Sequence, residues 1–216
     1  MKSVMISIQP QWCKEIATGR KTLEVRKTIP KLKTPFKCYI YCTNAKPYLA
    51  WADVFRGNWE TEIATIHGCS RQYAEKIWDI FNGSVMGEFV CDYIFPIDVD
   101  FDIHYELPGN PVETWLTWEN APEQFEDAAD IEKATCLSMK DIDAYIGSRS
   151  GCFCWHISDL EIYDEPKKLS DFYIFKKCNS CKETGYESSA CIYDEDCIVP
   201  AVITRPPQSW CYVGDK

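Results

Sequence analysis

The change of hydrophobic period around Gly19 constrains this chain more than any other feature of its 216 residues. Gln9 to Ala17 reads as a short helix. Pro10 suits the first helical turn, where its missing N–H costs nothing, and Trp12 and Ile16 lie four apart on one face beside Cys13 and Ala17. Gly19 can adopt the left-handed conformation that ends a helix. From Thr22 the period becomes two, with Leu23 and Val25 on one side of a strand and Thr22, Glu24 and Arg26 on the other. The expected strand is apolar-in and polar-out. It sets a carboxylate beside a guanidinium, next to a turn carrying Arg20 and Lys21.

Further β patterns run through 1–8, 37–43, 84–94, 97–103, 152–163 and 198–204, and helices are expected over about 48–55, 70–81 and 137–147. Ser138 and Gly147 cap the last of these. The class expected is α+β, one domain over 1–216, interrupted by insertions at about 45–83 (helical) and 96–135 and by a Cys-rich loop at about 176–198. No apolar run approaches the length of a membrane span, and the first eight residues read as a strand rather than an export signal, so a cytoplasmic protein is expected.

Charge is distributed unevenly. The net charge is −10, which argues against indiscriminate nucleic-acid binding, where phosphate contacts dominate. Yet residues 1–37 hold nine Lys/Arg and two Glu. The helix–strand unit thus lies in a basic segment of an acidic protein, which reads either as a solvated face or as a focused cleft for an anionic ligand. Residues 96–133 carry eleven Asp/Glu against one Lys, and Asp98, Asp100 and Asp102 alternate with apolar residues as in a charged, solvated edge strand.

Thirteen cysteines without an export signal should remain reduced, and Cys38, Cys42, Cys91, Cys152 and Cys154 sit in strand-like runs as small buried hydrophobes. Cys178, Cys181, Cys191 and Cys197 differ: four thiolates can close a tetrahedral shell around a structural zinc. The x2, x9 and x5 spacings leave free thiols or disulfides as the alternatives. His156, beside Trp155, reads as a satisfied core residue.

The pattern Gly19-x-Lys21-x-x-Glu24-x-Arg26 resembles the signature of ASCH domains, relatives of the PUA-like β-barrels. Gly87-Glu88-Phe89, the segment from Gly151 to Asp164 and the closing Pro206-Pro207-Gln208-Ser209-Trp210 extend the likeness to phage- and prophage-associated bacterial members. The resemblance implies a PUA-like mixed β-barrel with flanking helices. It also implies an RNA, nucleic-acid or modified-nucleotide ligand in a cleft lined by Arg20, Lys21, Glu24 and Arg26. Lys21 would attract phosphate or a base carbonyl, Arg26 would make bidentate contacts, and Glu24 would either accept base amino protons or simply hold Arg26.

The same resemblance implies an alternative, hydrolysis. Some ASCH proteins are amidohydrolases of acylated cytidine that use a lysine, a threonine and a glutamate, and ribonuclease activity is associated with other relatives. Lys21 matches the lysine, whereas Glu24 occupies the threonine position and removes the expected hydroxyl; Thr22 lies two residues earlier. In an enzyme, Lys21 and Glu24 would be the catalytic pair.

Overall fold

A computed structural model describes residues 3–44, 82–100, 115–177 and 198–215. The expected helices over 48–55 and 70–81, and the cysteines at 178, 181, 191 and 197, lie outside the described residues. The strands are β1 (Ser3–Ile8), β2 (Leu23–Arg26), β3 (Phe36–Cys42), β4 (Val85–Cys91), β5 (Ile94–Asp100), β6 (Trp115–Thr117), β7 (Gly151–His156), β8 (Ser158–Lys167), β9 (Phe172–Lys177), β10 (Ile198–Val202) and β11 (Trp210–Asp215). Among the described residues three α-helices accompany them: α1 (Pro10–Ala17), α2 (Ala128–Thr135) and α3 (Met139–Ile146). None is long and apolar enough to cross a membrane.

The α+β class stands, but the described strands form two open sheets rather than a closed barrel. One has the order β10-β9-β11-β1-β3-β4-β8, the other β2-β7-β5-β6. Two of the chain's passages between them are short breaks: Asp92–Tyr93 separates β4 from β5, and Ile157 separates β7 from β8. The long strand expected over 152–163 is therefore bent at Ile157. His156 clips the two breaks together, its Nδ1 2.7 Å from Asp92 Oδ1 and its ring stacked on Tyr93 at 4.3 Å. It is half-buried, tying two sheets rather than filling a core.

Among the described residues three apolar clusters result. The first joins Val4, Ile6, Ile8, Cys38, Ile40 and Cys42 to Cys13 and Ile16 of α1 and to Trp155. The second packs Leu23, Val25, Phe95, Ile97, Cys152 and Cys154 against Ile131, Ala134, Ile142 and Ile146 of α2 and α3. The third lies on Met5, Tyr39, Tyr41, Val85, Phe172 and Val213. The central strands β1 and β3 thus contribute to clusters on both of their faces.

Two expectations need correction. The acidic strand is not an edge: β5 pairs with β7 on one side and β6 on the other, and Asp98 is exposed. Strand β6 and helix α2 both arise in the acidic insertion, where no element is expected between 103 and 137. In α2 the Asp127 side chain accepts from Asp130 N while Asp130 reaches back to the Asp127 backbone, a capping box made of two aspartates. Gly87 sits where β8 approaches closely: an added Cβ would stand 2.3 Å from Glu161 O.

Candidate functional site

Strand β2 is buried on both sides, and this creates the site. Leu23 and Val25 enter the α2–α3 core, each contributing about 1.5–3 kcal/mol by leaving water. Glu24 lies across from Trp155 and Arg26 from Phe153, so the polar side of the strand turns into the gap between the sheets. The expectation of a polar-out face is thus reversed, because helices cover the apolar side and leave the gap for the charges. Lys21, Glu24 and Arg26 are 2%, 6% and 8% exposed.

Their geometry is fixed by backbone. After Gly19 (φ 72°), the Arg20 and Lys21 N–H groups both donate to Glu15 O, at 3.0 and 2.9 Å. This wraps the turn and aims the Lys21 side chain inward, where its Nζ donates to Thr135 O at 2.6 Å and lies 3.4 Å from Glu24 Oε2. Arg26 Nη2 donates to Ser7 O at 2.6 Å and pairs with Glu24 Oε1 at 3.0 Å, joining β2 to β1. Despite these contacts, Glu24 Oε2 and Arg26 Nε are buried and make no hydrogen bond. The 3.4 Å approach of Lys21 to Glu24 Oε2 is an ion pair without hydrogen-bond geometry. Two buried cations therefore share one carboxylate, leaving one positive charge in excess where unbalanced charge is costly.

These residues line a cavity of about 790 Å3. Its other walls include Trp12 of α1, Leu137, Ala144, Tyr145 and the exposed carboxylate of Asp141 around α3, the strand ends Ile8 and Thr43, and Pro206 to Gln208. It lies at the C-terminal ends of β1 and β3, which run parallel. The Lys21 ammonium lies 5.5 Å from the Trp12 ring and Lys27 lies 4.9 Å from that of Tyr145. Tyr145 is 37% exposed, and partial burial pushes its phenol above the ordinary value. Both rings therefore combine a cation contact with an open surface.

Three of the four cleft residues expected from sequence come together here, namely Lys21, Glu24 and Arg26. Arg20 is exposed, lies off the cavity wall and pairs with Glu15 at 2.5 Å. Thr22 does not line the cavity, whereas Thr43, which sequence reasoning passed over, does. Tyr145 and Thr135 also escaped notice, because helix spacing explains them equally well without a ligand, and Pro206 to Gln208, quoted for the family likeness, had no place in the expected cleft. Trp12 both packs against the first core and faces the cavity. Among the described residues no three His, Cys, Asp or Glu side chains gather as a metal site. Cys38, Cys42, Cys91, Cys152 and Cys154 are buried free thiols.

No protein-family model matches the chain, and no curated protein does either. The chain is similar in structure to an ASCH protein. The crystal structure of ASCH from Zymomonas mobilis is 14% identical, with a TM-score of 0.45, covering 97% of this chain and 86% of that one. A single-residue mutant of the same protein gives 14% identity and a TM-score of 0.43, over 97% and 87% of the two chains.

Proposed function

We propose that the cavity beside β2 binds RNA or a nucleotide, with a base against Trp12 or Tyr145 and a phosphate or base carbonyl at Arg26 and Lys21. The observation that carries this reading is that two buried cations share one buried carboxylate, with Arg26 Nε still lacking an acceptor, while the cavity's other carboxylate, Asp141, is exposed to solvent. An anionic or carbonyl-bearing ligand supplies what the protein leaves out. Aromatic walls fit the same ligand class, since every base has a face that stacks. The cavity's 790 Å3 falls in the range of small-ligand sites, about 300–1,000 Å3, and suits an unpaired nucleotide rather than a duplex. The likeness of Gly19-x-Lys21-x-x-Glu24-x-Arg26 to the ASCH signature supports the same class. Arg20, outside the cavity and paired with Glu15, would meet only the backbone of a longer strand.

A second reading, hydrolysis, has one observation in its favour: Lys21 and Glu24 are 3.4 Å apart in a cavity that Thr43 also lines. Incubation with short oligoribonucleotides and acylated cytidines, followed by mass spectrometry and binding titration, separates the two. Retention of intact oligonucleotide is expected, and Lys21→Ala should weaken it while lowering the salt slope by about one. Product that disappears in Lys21→Ala and Glu24→Gln would replace binding by catalysis. Neither retention nor product would remove the ligand reading altogether.

A further inference from the structure

We infer that Thr135 is a positioning residue for Lys21, holding the end of α2 so that its last carbonyl fixes the ammonium at the cavity floor. The final carbonyls of a helix have no partner within it and carry the negative end of its dipole. Here two successive ones are taken by two successive residues of the signature: Ala134 O accepts from Thr22 N at 2.8 Å, and Thr135 O from Lys21 Nζ at 2.6 Å. A helix from the acidic stretch thereby reaches across 114 positions of sequence to place the cation.

The Thr135 side chain makes that arrangement rigid. It is fully buried, and its hydroxyl donates to Ile131 O at 2.7 Å while accepting from Leu137 N at 3.3 Å. The hydroxyl thus bridges the left-handed residue Cys136 (φ 54°), tying the last helical turn to the chain that leaves it. Left-handed backbone at a residue other than glycine is held by its surroundings. Without the bridge, the peptide after Thr135 is free to rotate, and its carbonyl swings away from Lys21. Valine fills nearly the same volume but can neither donate nor accept, so it separates the bridge from simple packing.

The inference rests on Lys21 being a ligand contact, but its test needs no ligand. Limited acetylation of the full chain, followed by peptide mass spectrometry, gives the rate at Lys21 relative to exposed Lys31 and Lys33. In the wild type Lys21 should be protected. In Thr135→Val the Lys21 rate should rise on the order of tenfold, through local opening, while Lys31 and Lys33 stay unchanged. Thr135→Ser, which retains the hydroxyl, should keep the wild-type rate. Oligoribonucleotide affinity should follow the same order, weakened in Val and preserved in Ser. A folded Val variant with unchanged Lys21 protection overturns the inference. If Val does not fold, Ser decides: wild-type protection supports the bridge, and rapid acetylation in a folded Ser variant overturns it. Failure of oligonucleotide binding in every form would sink the ligand reading and leave the acetylation result standing.

Discussion

Among the described residues, two clusters each place a glutamate among cations, and only one of them closes on itself. On β3, β4 and β8, Glu88 accepts from Lys37 through Oε1 at 2.5 Å and from the Tyr163 hydroxyl through Oε2. Lys167 lies 4.2 Å from the Tyr163 ring, and Lys37 lies 5.6 Å from that of Tyr39. Each carboxylate oxygen has a donor, and exposed Lys37 and Lys167 keep access to water. At β2 the cations are themselves buried, one oxygen and one guanidinium nitrogen lack partners, and the cluster faces a cavity. A network that serves stability completes its bonds internally. One that serves a ligand stays incomplete until the ligand arrives, because a buried polar group gains most from a partner where water is excluded.

Single substitutions can break or sharpen this contrast. The largest effect belongs to Glu24→Ala, which leaves Lys21 and Arg26 buried without a counter-ion and should destabilise the fold by about 3–5 kcal/mol in urea melts. Added phosphate or sulfate should restore part of that loss if the excess charge attracts anions. Next comes Tyr145→Ala. It should weaken oligoribonucleotide binding by about 1–3 kcal/mol, the worth of one stacked base, with little change in melting temperature. Tyr163→Phe should show the opposite profile, losing roughly 1 kcal/mol of stability with binding intact.

The closed cluster also predicts a pH response. Burial opposes ionisation of Glu88, yet the bonds from Lys37 and Tyr163 and the Lys167 charge outweigh it and hold the carboxyl below its ordinary value. A lowered folded-state value means that this contribution is fully present above about pH 4.3, the unfolded value, and is lost as pH falls through the folded one. Acid melts of Glu88→Gln should therefore be flatter below that pH than those of the wild type. Smallest of all is Arg20→Ala. The exposed pair with Glu15 should be worth about 0–1 kcal/mol, and only the binding of longer strands should register the change.

Much of this architecture is legible where local chemistry acts alone. Alternation separates Leu23 and Val25 from Glu24 and Arg26, Gly19 ends α1, and Ser138 with Asp141 caps α3 as expected. What sequence pattern does not reveal is which side of a strand meets water. That depends on α2 and α3, more than a hundred residues away, covering Leu23 and Val25. The same holds for β5, made internal by the three-residue β6, and for Thr135, whose carbonyl matters only once Lys21 is beside it. Lys21, Glu24 and Arg26 could be proposed because they are close in sequence. Thr43, Tyr145 and Pro207 could not, because the cavity that unites them is assembled by tertiary packing.

The position of β1 has a consequence for how the protein is made. Its residues 3–6 pair with 213–210 of β11 on one side, and residues 4–8 pair with β3 on the other. During synthesis the β1–β3 pair can assemble early, but one edge of β1 stays bare until residues 210–215 have been translated. Pairing of such separation is slow to form, and a bare strand is open to other chains in the interval. Pro206 to Gln208 join the cavity wall beside that same closure, and Ser7 N bonds to Ser209 O. The wall is therefore completed late, so a chain stalled before β11 would carry Lys21, Glu24 and Arg26 without the enclosure that gives them their setting.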